Sequence, residues 1–533
     1  MCGIVGYVGE DYNNREWVEA GIEKLHHRGP DGKGILSGNK YIFGHTRLSI
    51  IDLSSAGSQP MKCGDWIITF NGEIYNYQQL ATYLTPNDDL GRNITDGDTA
   101  TLLKYIAKYG IWSALNAANG MWSFGAYNTK TEMFYASVDR FAQKPFYYYQ
   151  VANQLWFGSS PNLLYDLKER WELDNNALQS YWHLGGIIGP NRLLKGIKKL
   201  CANELLSFNT KTGELIIDNY WQPSKAANPM DIALYVQQAI DAVKVSHVPV
   251  NIFLSGGIDS TLVASRFKNA NAIHLRSNEV QYAAQVADKF GLNLNIVDPT
   301  EFDIIDILQD YVLKSGEPTM AGAIPWITAK YASQLGKVAV IANGADELFF
   351  GYDRIQHDSD QESHVQNMHM LRGSGFYGSV LNRYRQKYNG RPSSRWTELM
   401  NFVQFDINST LDFASMCHSL EVRSPFLDHR LVEAAMVINE PEHRKHGNKT
   451  LLKEMLWNLG FDKQFTERPK QGFSLHFKPE GIDDFRKLAF SWVVNHDYLK
   501  VKGKLTPRDL SYLEAAAMGF KVWHYNYAYL YED

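Results

Sequence analysis

The chain has 533 residues, of which 44% are hydrophobic and 21% are charged, and this balance excludes a mainly disordered chain. A formal net charge of −5 gives no indication of nucleic-acid binding. No uninterrupted apolar run reaches the roughly 18–20 residues that cross a bilayer, so we expect no membrane partner. The length predicts about two to four domains.

The N-terminus has neither the basic start nor the long apolar segment of a secretory signal, so we expect a cytoplasmic protein. The cysteines are too few for a disulfide scaffold and too scattered for a zinc site. They are Cys2, Cys63, Cys201 and Cys417.

Short apolar segments separated by Gly, Asn and Asp make up roughly the first 200 residues and predict a strand-rich domain. We predict helices over residues 17–25 and 177–182. The predicted strands are residues 4–8, 66–70, 121–127, 133–137 and 155–158.

A polar stretch with two prolines, residues 222–229, predicts a linker. After it come a predicted helix, a predicted strand over 248–254, a Gly-rich turn and a second helix over 261–267. This order is the first unit of a parallel α/β sheet. Further strands are predicted over 272–275, 293–297 and 338–341, with helices over 280–290 and 324–335 between them. The chain after residue 350 is predicted to be mostly helical.

Cys2 follows the initiator Met directly. If Met1 is removed, the thiol lies beside a free α-amine with a pKa of about 7.7–8.0, which can take the thiol proton. Nucleophile and base then come from one residue. The alternative for Cys2 by itself is a buried cysteine in a strand.

Acyl transfer also needs donors for an oxyanion, and Asn71 with Gly72 can supply a side-chain amide and a backbone N–H. An amino-acid substrate needs a cation for its carboxylate and an anion for its ammonium group. Arg47 and Asp96 are the candidates. Taken singly, these residues fit a turn and surface charges equally well.

Residues 255–260, SGGIDS, follow a predicted strand and begin a helix. Glycines allow backbone N–H groups to approach phosphate oxygens, and Ser255 and Ser260 add hydroxyl donors. Asp259 is a candidate for Mg²⁺, which prefers carboxylate and phosphate oxygens. The segment lacks the GxxxxGK[ST] pattern of a Walker loop, and by itself it also fits an ordinary loop.

Six segments in the first 150 or so residues resemble class II glutamine amidotransferases. They are residues 1–6 (MCGIVG), 27–32 (HRGPDG), 44–53 (GHTRLSIIDL), 70–76 (FNGEIYN), 95–98 (TDGD) and 139–148 (DRFAQKPFYY). The resemblance implies an N-terminal α+β domain of Ntn-hydrolase type over residues 1–200, with stacked antiparallel sheets and helices. It also implies that Cys2 attacks the glutamine amide and that Asn71 and Gly72 hold the oxyanion. The glutamine-binding residues it implies are Arg47, Leu48, Ser49, Ile50, Ile51, Asn71, Gly72, Glu73 and Asp96.

The C-terminal part resembles the ATP-pyrophosphatase-type domain of the asparagine synthetase family. The matching segments are residues 255–260 (SGGIDS), 317–318, 323–325, 344–352 (GADELFFGY), 415–416, 418–429 (HSLEVRSPFLDH), 449–453 and 468–473 (RPKQGF). The resemblance implies a linker region over 201–229 and, over 230–533, a parallel α/β sheet with a helical extension. Lys470 would lie near the reacting phosphate, and Asp259 and Asp346 would hold Mg²⁺. The ATP-binding residues it implies are Leu254, Ser255, Gly256, Gly257, Ile258, Asp259, Ser260, Leu275, Ile341 and Ala342.

The combined resemblance implies a ligase that uses ATP and Mg²⁺ to convert aspartate into asparagine through β-aspartyl-AMP, with ammonia from glutamine. The expected partners are small molecules, namely glutamine, aspartate and ATP. Neither nucleic acid nor a membrane is expected, and the resemblance is compatible with a homodimer.

Several positions depart from the family pattern. Ile341 and Ala342 stand where the family has Ser-Gly, and Asn343 stands at a position that is often acidic and linked to the acyl-adenylate. Phe413 replaces a favoured Arg, and Phe350 replaces a Gly. Two alternatives therefore stay open: amidation of a different carboxylate, or a non-catalytic relative that still binds glutamine or ATP.

Overall fold

The structure, a computed structural model, describes residues 1–84, 97–224, 231–355, 357–360, 363–364, 387–388, 391–468, 482–499 and 507–531. Within these residues the chain forms three main sheets and a two-stranded ribbon. The strands are β1 Gly3–Val8, β2 Gly32–Gly38, β3 Tyr41–Arg47, β4 Met61–Cys63, β5 Trp66–Ile74, β6 Gly120–Asn128, β7 Met133–Val138, β8 Tyr147–Val151, β9 Gln154–Gly158, β10 Lys198–Lys199, β11 Glu204–Asn209, β12 Leu215–Asn219, β13 Val250–Phe253, β14 Asn271–Leu275, β15 Asn293–Val297, β16 Val338–Val340, β17 Lys387–Tyr388, β18 Arg391–Pro392 and β19 Glu421–Arg423.

Helices cover the sheets and continue to the C-terminus of the described chain. The α-helices are Arg15–Lys24, Tyr77–Ala81, Asp98–Tyr109, Ile111–Ala117, Asn175–Leu184, Ile232–Ala242, Ile258–Ala264, Val280–Phe290, Ile304–Ser315, Ala323–Ala332, Ala345–Leu348, Ser394–Thr397, Asn408–Met416, His429–Val437, Glu440–His443, Thr450–Asn458, Lys463–Thr466, Ile482–Asn495 and Pro507–Tyr527. Residues Glu398–Ile407 form a π-helix. Among the described helices, none combines the length and the apolar character that spanning a membrane requires.

Two antiparallel sheets make up the N-terminal half. Their strand orders are β10-β8-β9-β1-β3-β2 and β12-β11-β7-β6-β5-β4. All six residues of β1 are buried, because helix Arg15–Lys24 packs on one face of the first sheet and the second sheet packs on the other. A strand covered on both faces has a continuous apolar sequence, which explains why the sequence pattern identifies it.

Four phenylalanines fill the space between the two sheets. The ring centroid of Phe157 on β9 lies 5.1 Å from Phe134, 5.2 Å from Phe146 and 5.3 Å from Phe43. All four side chains are fully buried, and stacked or edge-to-face rings stabilise such a core beyond the burial of their area. This packing sets the distance between β1, which follows Cys2, and the sheet that carries Asn71.

The C-terminal half contains a five-stranded parallel sheet with the order β15-β14-β13-β16-β19. The strand order reverses beside β13, since β14 and β15 lie on one side of it and β16 and β19 on the other. A reversal of this kind leaves a crevice at the carboxyl ends of the strands. The loops after β13 and β16 both open into it, and we call it the carboxyl-edge crevice.

The predicted fold class is confirmed: stacked antiparallel sheets with helices precede a parallel α/β sheet with a helical extension. The predicted linker region, 201–229, differs from the structure because it contains β11 and β12, which pair with each other and join β7. β12 lies at the sheet edge, and four of its five residues are exposed, Ile216 and Ile217 among them. The domain limits 1–200 and 230–533 stay predictions.

Replacing Phe157 by alanine is expected to destabilise the N-terminal half by about 3–5 kcal/mol, because the cavity would lie among three other phenylalanine rings. Trp112 is 44% exposed and provides the control. Its replacement by alanine is expected to change stability by less than about 0.5 kcal/mol. Urea unfolding followed by circular dichroism measures both variants, and equal losses would contradict the role of Phe157.

Candidate active sites

A pocket lies at the start of β1, where the two halves of the chain meet, and we call it the Cys2 pocket. It encloses about 470 Å³ of space free of protein atoms, part of it open to solvent. Glu421 from β19 of the C-terminal half forms part of its wall. The predicted residues that line it are Cys2, Arg47, Leu48, Ile50, Ile51, Gly72 and Glu73.

Cys2 is 8% exposed in the wall of this pocket. Its N–H donates to Oδ1 of Asn71 at 2.9 Å, and its carbonyl accepts from Nε of Arg28 at 3.1 Å. Burial raises the pKa of the Cys2 thiol, against opposing effects of the N-terminal ammonium and of a hydrogen bond from the Leu48 N–H. The thiol is therefore protonated at neutral pH and needs a base before it can act as a nucleophile.

The predicted oxyanion residues lie on β5, beside Cys2. Asn71 is fully buried, and its Nδ2 donates to Oγ of Ser123 at 3.4 Å while its Oδ1 accepts the Cys2 N–H. Gly72 lines the pocket with its backbone, and a Cβ at this position would clash with the carbonyl of Met121 on β6. Only glycine fits there. Their role in binding an oxyanion stays a prediction.

The predicted glutamine-binding residues differ in their position: some lie in the pocket wall, one is buried without lining the pocket, and one is outside the described residues. The Arg47 guanidinium donates to the carbonyls of Ser54, at 2.6 Å, and Asp52, which fixes it in the wall of the pocket. Its role in binding a carboxylate stays a prediction. Ser49 is buried and is not among the residues that line the pocket, and its N–H donates to Oδ2 of Asp31 at 2.7 Å. Asp96 lies outside the described residues.

A buried ionic cluster connects the Cys2 pocket to β19. Arg423 pairs with Oε2 of Glu73 at 3.1 Å and with Oε1 of Glu421 at 2.6 Å. The other oxygen of Glu421 pairs with the ammonium of Met1 at 3.0 Å. Burial raises the pKa of Glu73, and neighbouring Asp98 raises it further, while Arg423 opposes both. Burial alone would also raise the pKa of Glu421, but the Met1 ammonium and Arg423 together lower it, so Glu421 is ionised.

A second buried ionic cluster holds Arg28, whose side chain donates to the Cys2 carbonyl, and so fixes the position of Cys2. Nη2 of Arg28 lies 2.8 Å from one oxygen of Asp412, and Nζ of Lys144 lies 3.5 Å from the other. Lys144 also donates to the carbonyl of Val422 at 3.3 Å. Asp412 belongs to helix Asn408–Met416 of the C-terminal half. The position of the Cys2 backbone therefore depends on a carboxylate from the other half of the chain.

The predicted phosphate loop lies in the carboxyl-edge crevice. The hydroxyls of Ser255 and Ser260 are hydrogen-bonded to each other at 3.0 Å, and the Gly257 N–H donates to Oγ of Ser255 at 3.2 Å. Gly256 has φ +85°, and a Cβ there would lie 2.8 Å from the Ala283 nitrogen, so this turn requires glycine. The result is a tight turn of the kind that presents amides and hydroxyls to phosphate oxygens.

Asp259 and Asp346, the predicted metal ligands, approach each other from the first turns of helices Ile258–Ala264 and Ala345–Leu348, which follow β13 and β16. Nζ of Lys449 lies between them, at 2.5 Å from one oxygen of each. Burial alone would lower the pKa of Lys449, but the two carboxylates raise it well above its usual value. The lysine is therefore charged at any physiological pH.

Among the described residues, no group of three or more His, Cys, Asp or Glu side chains is arranged to hold a metal ion. Mg²⁺ is usually bound by one or two carboxylates together with substrate phosphates and water. The pair Asp259 and Asp346 beside a phosphate loop fits Mg²⁺ that is bound together with a nucleotide.

The other predicted nucleotide residues lie at the same edge of the parallel sheet. Leu254 directly follows β13, Ile258 begins a helix, and Leu275 ends β14. Ile341, Ala342 and Asn343 follow β16 and are half-buried. The structure therefore brings the described members of the ATP-binding prediction together.

Lys470 lies outside the described residues. Arg468, two positions earlier, donates from Nη2 to the Gly256 carbonyl at 2.5 Å, and its guanidinium lies 3.8 Å from the ring centroid of Tyr282. Arg468 therefore contacts the phosphate loop directly.

The prediction from sequence left out several residues of these sites. Four of them lie in segments that carry the resemblance, so each could have been considered as a site residue. They are Asp98, Glu421, Lys449 and Arg468. Gln59 lies in no such segment. Its Oε1 accepts the Phe70 N–H at 2.7 Å and its Nε2 donates to Thr99 at 3.3 Å, which only the fold reveals.

A family model described as asparagine synthase matches residues 232–518, more than half of the chain, and one described as a glutamine amidotransferase domain matches residues 1–221. The chain belongs to the asparagine synthase family. Two relatives from Bacillus subtilis (strain 168), named asparagine synthetase (glutamine-hydrolyzing) 3 and 1, are each 28% identical to it. The alignments cover 84% and 89% of this chain and 83% and 87% of those proteins.

A solved structure described as the allosteric regulatory enzyme of purine biosynthesis is also similar, with a TM-score of 0.32 and 12% identity. It covers 56% of this chain and 81% of that one. The family models and the relatives confirm the predicted family and, with it, the ligase class.

Two departures from the pattern of the asparagine synthase family are buried. Phe350 has φ +56°, which bulky residues rarely adopt, and its ring lies 4.7 Å from the guanidinium carbons of both Arg395 and Arg444. The ring centroid of Phe413 lies 6.2 Å from those of Tyr147 and Tyr311. Both phenylalanines therefore contribute packing, whereas Asn343 lies at the carboxyl-edge crevice.

The buried His45 on β3 predicts a pH dependence of stability. Burial lowers the pKa of His45 to about 3, and Arg47 and the N-terminal ammonium contribute. The folded chain keeps this histidine neutral, while the unfolded chain binds a proton below about pH 6.5, so its contribution to stability is present above that pH and lost as the pH falls toward 3.

Between pH 6.5 and pH 4, the wild type is expected to lose about 3 kcal/mol more stability than His45→Gln. Urea unfolding at a series of pH values measures the difference. Parallel pH profiles for the two proteins would show that His45 is not the cause.

Proposed function

We propose that this chain makes asparagine from aspartate, with ammonia released from glutamine at Cys2 and with ATP bound in the carboxyl-edge crevice. The observation that carries this proposal is the position of β19. Its first residue, Glu421, lines the Cys2 pocket, and the carbonyl of its last residue, Arg423, accepts the Ile341 N–H at the crevice at 3.0 Å. One strand of three residues therefore connects the two sites.

In the Cys2 pocket, removal of Met1 would leave the α-amine on Cys2, where it can take the thiol proton. The thiolate would attack the glutamine amide, with Asn71 and Gly72 as donors to the oxyanion. Ammonia leaves, and water then releases glutamate from the γ-glutamyl thioester. Arg47 would hold the substrate carboxylate, and Asp96 would hold its amine.

In the crevice, residues 255–260 would hold the ATP phosphates while the β-carboxylate of aspartate attacks the α-phosphorus. Pyrophosphate leaves, and β-aspartyl-AMP remains. Asp259 and Asp346 would hold Mg²⁺, which neutralises phosphate charge when bound. Lys470 would stabilise the charge of the leaving pyrophosphate, and ammonia then displaces AMP.

Asn343 supports a second candidate function, the amidation of a carboxylate other than that of aspartate. It is half-buried beside the turn that carries Asp346. A carboxamide hydrogen-bonds but cannot accept a proton as a carboxylate does. The carboxamide of Asn343 therefore favours an acceptor molecule that differs chemically from aspartate in the part that would lie near this residue.

Cys2→Ala is expected to lower glutamine-dependent synthesis by at least about a hundredfold, because the nucleophile is lost. Synthesis from added ammonium is expected to persist, since the crevice is unchanged. Cys63→Ala is the matched control, because it removes another buried cysteine of the N-terminal half and is expected to keep both activities. Loss of both activities in Cys2→Ala would contradict two separate sites.

With aspartate, ATP, Mg²⁺ and ammonium, the products are expected to be asparagine, AMP and pyrophosphate in equal amounts. Chromatography of the nucleotides and a pyrophosphate assay measure them. ADP with phosphate would contradict adenylation. If other carboxylates stimulate pyrophosphate release and aspartate does not, the second candidate replaces the first.

A further inference from the structure

Lys449 lies between the two carboxylates that are proposed to hold the metal ion. Its Nζ is 2.5 Å from Oδ2 of Asp259 and 2.5 Å from Oδ1 of Asp346. The side chains are 8% exposed for Lys449, 16% for Asp259 and 18% for Asp346. An ammonium group this close to both carboxylates occupies oxygens that a metal ion would use.

The surrounding backbone holds this lysine in place. Lys449 has φ +59°, a left-handed conformation that residues other than glycine seldom adopt, and its N–H donates to the Phe349 carbonyl at 3.0 Å. Gly351 approaches so closely that a Cβ there would clash with both Oδ1 of Asp346 and Cε of Lys449. A solvated surface lysine has no such restraints, so the site is built to hold the ammonium between the carboxylates.

We propose that Lys449 and the metal ion compete for Asp259 and Asp346, so that the metal binds only when the lysine is displaced. The inference rests on the proposed function, which supplies the metal and ATP. Mg²⁺ needs carboxylate oxygens at about 2.0–2.1 Å. If the Lys449 ammonium stays bound to these oxygens, it lies within a few ångströms of the metal ion, and the two positive charges repel each other strongly.

The displaced ammonium has a new partner when a nucleotide is present. Asp259 belongs to the 255–260 loop, so phosphate oxygens held by that loop lie within reach of the lysine. Metal and nucleotide therefore bind cooperatively, while the metal alone binds weakly.

Titration of the full chain with Mn²⁺ in the absence of nucleotide, followed by electron paramagnetic resonance of free Mn²⁺, tests this competition. Lys449→Gln is expected to bind Mn²⁺ at least about tenfold more tightly than the wild type, because the competing charge is removed. Combining it with Asp346→Asn is expected to abolish the gain.

Lys453→Gln is the matched control. It removes another buried lysine, within helix Thr450–Asn458, whose Nζ donates to the His446 carbonyl at 3.0 Å. Its Mn²⁺ affinity is expected to stay within about twofold of the wild type, since no carboxylate of the site loses its partner.

An unchanged Mn²⁺ affinity in folded Lys449→Gln overturns the inference, and so does a gain that survives Asp346→Asn. If Lys449→Gln does not fold, the Mn²⁺ affinity of the wild type tests the proposal instead. A wild-type Kd for Mn²⁺ below about 10 μM without nucleotide overturns the competition if that binding is lost in Asp346→Asn. Weaker binding supports the competition.

The two proposals fail in different ways. If aspartate stimulates pyrophosphate release but Lys449→Gln leaves the Mn²⁺ affinity unchanged, the competition is wrong and the proposed function stands. If the Mn²⁺ affinity rises but no carboxylate stimulates pyrophosphate release, the proposed function is wrong and the competition stands.

Discussion

Buried charges from the two halves of the chain hold each other in place, and the Cys2 pocket depends on this arrangement. Arg423 lies between Glu73 and Glu421, and Asp412 lies between Arg28 and Lys144. Removing such charges from water is costly, and their attraction offsets that cost only when every partner is present. These clusters therefore favour one relative position of the halves, the position in which Glu421 completes the Cys2 pocket.

The two sites follow from different features of the fold. The Cys2 pocket forms where antiparallel strands from stacked sheets meet a strand of the C-terminal half, so it needs both halves. The carboxyl-edge crevice forms within one parallel sheet, because the strand order reverses beside β13. The short strand β19 belongs to the parallel sheet and reaches both sites, so it connects the two halves of the chain.

Sequence patterns predicted several local units, among them strands β1, β5, β6, β7 and β9, but not β2, β3 or β8. The turn at Gly256 was recognisable because strand, glycine turn and helix are contiguous in the chain. Strand β19 was not predicted, because two of its three residues are charged and their burial depends on partners hundreds of positions away. The role of Lys449 between two carboxylates was missed for the same reason, although the segment that contains it was noted.

The sequence by itself determined the family and the two-part fold class, and it predicted residues for both sites, since these depend on short contiguous segments. Only the tertiary structure decided that Glu421 faces the Cys2 pocket, that Asp412 fixes Cys2 through Arg28, and that Lys449 lies between Asp259 and Asp346. Coulomb interactions act through space at a few ångströms, and separation along the chain carries no information about that distance.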